Sequence, residues 1–276
     1  MSDTRAVVAL RYEVRAAAEA WVLPEIHVPE SRPHDLLLRY LVLLLEAWAA
    51  RSCLDAIVTR NLAVRWYEDD PRVGIDPDVA LVEPAPPNAA QLSSLCSWKP
   101  GHTVPRLAIE VVSKNHPYKD YKDIHEKYAA SGIGELWVLD PELVGPRSLG
   151  GPVAIQQWVV RDGALERMHF GAGPFFSEAI DAWLWADPIR ITDDRAGEHV
   201  WLTHEEAERA EKEAERAEKE AERAEKEAER AEKEAERAAK EAERAEKEAE
   251  RAARQAAEAR LAELERRLSE LESNRR

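Results

Sequence analysis

Cysteine is almost missing from this 276-residue chain: Cys53 and Cys96 are its only two, too few for a disulfide framework. No His or Cys spacing suggests a zinc site. MSDTRAVVAL, at the N-terminus, lacks an apolar core followed by a small-residue cleavage site, so a secretion signal is not expected and a reducing cytoplasm is. No apolar run is long enough for a bilayer, which removes a membrane-spanning helix from the expectations. A glycine-rich phosphate loop is absent, as is any serine or cysteine nucleophile constellation, so the chemistries that depend on them have no signature here.

Positive charge is also short, with 39 Lys and Arg against 54 Asp and Glu and a net charge of -15. From Thr203 onward the chain holds 25 acidic and 19 basic residues, so this tail accounts for six of the excess charges and the body before it is acidic in its own right. Proteins that track a phosphate backbone over many nucleotides carry a basic face, so tight, sequence-independent DNA binding is not expected. A local basic groove remains compatible with the composition.

What is present begins with PHDLLLRYLVLLLEAWAARS, Pro33 to Ser52, whose Leu, Ala and Glu content predicts a buried helix. DAIVTRNLAVRWYEDDPRVG holds two short alternating segments, Ala56 to Thr59 and Leu62 to Tyr67, and reads as a hairpin. A strand of about five residues begins near Asp78 and stops at a proline-rich loop. RLAIEVVS predicts the next strand, KDYKDIHEKYAASG a helix ending at Gly132, and ELWVLDP a strand closed by Asp-Pro. This order predicts an α/β fold, a mixed sheet flanked by helices. AIQQWVVRDG and ALERMHF read as a peripheral hairpin, and GAGPFFSEAIDAWLWA as a loop leading into a short amphipathic helix.

From Glu206 to about Arg251 the unit EAERAEK recurs every seven residues, which divides the chain into a domain over 1–202 and a heptad-repeat helix or coiled coil over 203–276. Thr203 stands three residues before Glu206, the capping-box spacing. Ala207, Ala210, Ala214 and Ala217 begin an a/d seam that buries little area. Glu211 and Glu213 flank that seam, so two parallel identical copies would set glutamate against glutamate. Within one helix, Glu208 with Lys212 and Glu215 with Lys219 form i to i+4 pairs of roughly 0.2 to 0.5 kcal/mol each. A long charged C-terminal α-helix on the order of 100 Å follows from 1.5 Å per residue. Leu261, Leu264, Leu268 and Leu271 supply bulkier a/d residues and are the candidate contact for a homo-oligomer; a solvated spacer is the plainer reading.

Alternation in RLAIEVVS puts Leu107, Ile109 and Val111 on one face, and Ala108, Glu110 and Val112 on the other. A carboxylate in that setting needs a cation, a metal or hydrogen-bond donors; an ion pair with Arg65 or Lys127 would serve structurally. Asp78 begins the preceding predicted strand, so neighbouring strands could bring both carboxylates to one point. With the backbone carbonyl of Val111 they form a hard-oxygen set suited to Mg²⁺, with Mn²⁺ as the alternative. Such a site suits hydrolysis of a phosphodiester.

GIDPDVALVEP, PRLAIEVVS, HPYKDY and EKYAASGIGELWVLDP, with VPESRPHD and RNLAVRW upstream, resemble the bacterial Uma-two-type endonuclease family, a domain of unknown function in the restriction-endonuclease-like superfamily. The likeness spans Trp21 to Trp201. It implies a restriction-endonuclease-like mixed sheet and Mg²⁺-dependent cleavage of nucleic acid, with DNA as the substrate. The family's acids fall on Asp78 and Glu110, and His34 matches a recurring histidine, with Glu46 three turns on. Val112 stands where many superfamily nucleases carry a lysine, and Ile124 where much of the family does. Lys127 and Lys122 are the nearest candidates to assist in catalysis, with Lys114 closer in sequence. Val112, Ile124 and the acidic body favour the alternative, an inactive nuclease-like domain used for binding or assembly through its helical tail.

Overall fold

The computed structural model of the chain describes residues 10–13, 21–23 and 32–273. The N-terminal stretch read above for a signal, the VPES part of the upstream motif and the side chains of Leu268 and Leu271 lie outside the described residues. The chain packs as two units, residues 1–207 and 208–276.

In the first unit, β1 (Arg11–Glu13) precedes α1 (Arg32–Arg51), which coincides with the predicted apolar helix. Pro33 fits the first turn because a helix leaves that amide unbonded. Leu38, Leu41, Leu44 and Leu45 follow at helical spacing and are all 0% exposed. They pack on Val79, Leu81, Leu107, Ile109 and Trp137 of the sheet. Each such leucine contributes about 1.5–3 kcal/mol through burial.

The next strands are β2 (Ile57–Arg60), β3 (Ala63–Arg65), β4 (Val79–Val82), β5 (Ser94–Cys96) and β6 (Leu107–Val111). A π-turn over Lys119–Asp123 leads into α2 (His125–Ser131), which ends at Gly132 in the left-handed conformation, φ 77°. Thereafter come β7 (Glu135–Leu139), β8 (Ile155–Arg161) and β9 (Ala164–Gly171). Seven strands form the main sheet in the order β1-β9-β8-β7-β6-β4-β2, in which β6 and β7 are parallel and the other neighbours antiparallel. The sheet is therefore mixed. α1 covers one face, while Tyr121, Ile124 and Tyr128 pack on Ala108, Val112, Leu136 and Val138 of the other. Covering on both faces explains why VALV, LAIEV and ELWVL are buried throughout.

Three sequence expectations change. β2 and β3 do not form a hairpin: Asn61 adopts a left-handed conformation (φ 49°) and donates its N–H to the Pro77 carbonyl at 3.1 Å. β2 then pairs with β4, and β3 runs parallel to β5 in a separate small sheet. The β8-β9 hairpin, turned by Asp162 and Gly163 at positive φ, lies within the main sheet and is not peripheral. GAGPFFSEAIDAWLWA forms β10 (Phe175–Ser177) and β11 (Ala182–Ala186), which join β12 (Ile189–Thr192) in a three-stranded sheet. Buried Ala182 and Leu184 alternate there with half-buried Trp183 and Trp185, the two-residue period of a strand.

α3 (His204–Ser273) begins at the predicted capping box. Glu206 Oε2 accepts the Thr203 N–H at 2.8 Å, and Thr203 Oγ1 accepts the Glu206 N–H at 3.3 Å. Along the second unit the i to i+4 pairs form as expected, for example Lys212 to Glu208 at 3.2 Å and Lys219 to Glu215 at 2.5 Å. Among the described residues no helix is long and apolar enough to cross a membrane.

Candidate active site

β4 and β6 are antiparallel neighbours with Val79 opposite Ile109, so Asp78 and Glu110 fall together at one end of that pair. Asp78 Oδ2 accepts the Val111 N–H at 2.7 Å. The Nε2 of His34, from the first turn of α1, lies 2.9 Å from the Val111 carbonyl and 3.6 Å from Asp78 Oδ2. Asp78, Val111 and His34 are thereby held in one hydrogen-bonded corner. Glu46 is exposed elsewhere on α1.

Glu110 stands across from Asp78 in that register and is only 1% exposed. Its Oε1 accepts the hydroxyl hydrogen of buried Tyr128 at 2.7 Å, and its Oε2 lies 3.6 Å from Lys119 Nζ. That second oxygen is buried and has no hydrogen-bond partner. Burial pushes the Glu110 carboxyl up to about 8; Lys119 opposes the rise, while Asp78 and Asp120 add to it. Buried Asp120 is pushed up to about 7, first by burial, with Lys119 pulling it down and Asp78 pushing it up. Lys119 is held firmly protonated, chiefly by Glu110.

Sequence reasoning missed Lys119. Its approach to Glu110 depends on the π-turn, in which the Ile124 N–H bonds to the Lys119 carbonyl at 3.3 Å. An α-helical count does not reveal that widening. The motif HPYKDY contains the lysine, but the family spacing directs attention to Ile124, one turn further along the helix. Tyr121 fastens the π-turn: its hydroxyl meets Asp140 Oδ2 at 3.0 Å and accepts the Val153 N–H at 3.0 Å. Gly145 and Gly151 press against its ring so closely that a Cβ at either position would overlap it. These glycines are needed for contact with the phenol.

The other lysines fare differently. Lys127 is half-buried on α2; burial lowers its pKa while Asp76, and more weakly Glu110, raises it, so it belongs to the same electrostatic neighbourhood. Lys122 is exposed, and its carbonyl is engaged by His125 Nδ1 at 3.3 Å. Lys114 pairs with Glu142 at 2.7 Å, and Arg65 bonds the Pro71 carbonyl, so neither Arg65 nor Lys127 is the ion-pair partner of Glu110. Val112 and Ile124 are 4% and 2% exposed and belong to the core.

Among the described residues no three His, Cys, Asp or Glu side chains form a ready metal-binding group. Asp78, Glu110 and the Val111 carbonyl nevertheless supply hard oxygen donors. Glu110 Oε2, which lacks a hydrogen bond, and carboxyls that raise one another's pKa suit a divalent cation, which would favour their charged forms.

Residues 24–147 match the family model described as "Uma2: Putative restriction endonuclease". A solved structure titled as a "putative nuclease belonging to DUF820" from Anabaena variabilis ATCC 29413 is similar at 12% identity and TM-score 0.41, covering 58% of this chain and 81% of that one. No curated protein matches. The family match supports a nuclease-like domain.

A pH dependence follows for the metal-free protein. Glu110 and Asp120 retain protons up to about 8 and about 7, whereas ordinary Glu and Asp carboxyls release theirs near 4.5 and 3.8. Between those limits the folded chain binds more protons than the unfolded one, so stability falls as pH rises. Thermal melts in chelator from about pH 5 to about pH 8 should show a falling Tm, and Glu110→Gln should flatten that fall. A Tm that climbs across the interval would contradict the assignment.

Proposed function

Taking residues 24–147 as a Uma2-family segment, we propose that the first unit hydrolyses phosphodiester bonds of DNA with Mg²⁺, or Mn²⁺ in its place. The observation that carries this reading is Glu110, sealed in the sheet with one oxygen lacking a hydrogen bond and the Lys119 amine 3.6 Å from it. Asp78, Glu110 and the Val111 carbonyl would hold the ion. When bound, it supplies Lewis-acid charge at the phosphoryl group.

The chain's own groups have distinct tasks. Tyr128 fixes the Glu110 carboxylate through Oε1 and leaves Oε2 for the site. Asp78 takes the Val111 N–H and His34 meets the Val111 carbonyl, so both backbone groups of that residue are held in place. Lys119, protonated and half-exposed, can orient the attacking water or offset charge developing on the phosphate. Lys127 adds positive potential from the next turn, and Lys122 has no direct part.

Cleavage of a DNA panel with Mg²⁺ or Mn²⁺ should vanish in Asp78→Ala. Lys119→Met should lower kcat by roughly 10²–10³, the usual cost of removing a group that stabilises transition-state charge. Lys127→Met should cost less, and Lys122→Met should leave the rate unchanged. Activity that survives Asp78→Ala, or a larger loss at Lys122 than at Lys119, would overturn these roles.

A second reading, an inactive binding or assembly module, is favoured by the core positions of Val112 and Ile124 and by Leu261 and Leu264, which are 59% and 55% exposed on α3. It expects self-association through those leucines. Light scattering should then give a mass of at least a dimer, falling to a monomer in Leu261→Ala/Leu264→Ala; a monomer in both excludes assembly through this patch.

A further inference from the structure

A cavity of about 130 Å³ opens beside the candidate site. Pro33, Val111, Val112 and Pro141 give it apolar walls, while His34, Lys114 and Glu142 supply polar groups. It lies at the carboxyl ends of β6 and β7, the parallel pair of the sheet, where open α/β sheets receive their ligands. His34 also lies 3.6 Å from Asp78, so a group in the cavity would sit one side chain away from the carboxylate corner.

Size and chemistry narrow the occupant. An apolar cavity of about 150 Å³ accepts benzene, so this one suits a single six-membered ring and is small for a fused bicycle. Apolar walls with a few polar groups are typical of a small-molecule site. Lys114 Nζ lies 2.7 Å from Glu142 Oε2, with side chains 65% and 34% exposed, so the pair is weakly held and can be exchanged. A phosphate oxygen is a competing partner for the lysine and would form a charge-assisted hydrogen bond.

We propose that this cavity is a base subsite, taking one pyrimidine ring of the substrate strand next to the scissile phosphate while Lys114 leaves Glu142 for the strand's backbone. The proposal rests on the nuclease reading and adds a substrate preference to it. The purine of a neighbouring nucleotide would have to remain outside.

The test uses the full chain with Ca²⁺ to suppress turnover and titrates dTMP, dGMP and thymidine by calorimetry or NMR. dTMP should bind about tenfold or more tightly than dGMP. Lys114→Met should weaken dTMP by about tenfold and leave thymidine unchanged, the mark of one charged hydrogen bond to phosphate. Glu142→Gln should strengthen dTMP. Both side chains are partly exposed, so neither change endangers the fold. A parallel cleavage assay with Mg²⁺ varies the base on each side of the cut, including an abasic position, and should show a pyrimidine preference. Equal binding of dTMP and dGMP, no binding of either, or cleavage indifferent to the flanking base overturns the subsite and leaves the nuclease reading standing. Selective dTMP binding without any cleavage upholds a pyrimidine-nucleotide site and overturns the nuclease reading instead.

Discussion

A carboxylate enclosed in the middle of a sheet is the constraint from which the first unit's arrangement follows. Glu110 lies in a strand buried from end to end, and its charge is too costly there without a cation and hydrogen-bond donors. Tyr128 supplies one donor and Lys119 the cation. The π-turn sets the approach of Lys119, and Tyr121, clamped by Asp140, Gly145 and Gly151, secures the turn to the end of β7.

The same end of β6 is also organised through the backbone of Val111. Asp78 takes the Val111 N–H and His34 meets its carbonyl, so α1, β4 and β6 are tied at the same sheet end where Glu110 lies. The result is a set of oxygen donors beside a half-exposed lysine, in a body whose overall charge is negative. On the proposed reading, attraction for a polyanion would come from local cations such as Lys119, Lys127 and Lys114, and from the metal ion. Long tracking contacts along a duplex are not what this surface offers.

Much of this arrangement is legible in the amino-acid sequence. The apolar run of α1, the capping box at Thr203 and the i to i+4 pairs of α3 follow from short-range rules, and the fold contains all three. Asp78 and Glu110 can be placed together because each sits in or beside a short apolar strand. What the sequence hides is non-local. Nothing in DAIVTRNLAVRW says that β2 seeks β4 and leaves β3 to β5, since both segments alternate equally well. AWLWA is too short for helical and strand periods to be separated by composition. Lys119 is hidden for a different reason: α-helical spacing carried through a π-turn points to Lys127 and Lys122 instead.

The central claim is that Glu110 is kept in this costly position as a metal ligand. Calorimetric titration of Mn²⁺ into the full chain at about pH 6 and about pH 8, in buffers of different ionisation enthalpy, tests it most directly. The account predicts saturable binding at millimolar concentration or tighter, stronger at the higher pH and accompanied by proton release, and lost in Glu110→Gln. Binding that ignores Glu110→Gln, or no binding to the unaltered chain, would contradict it.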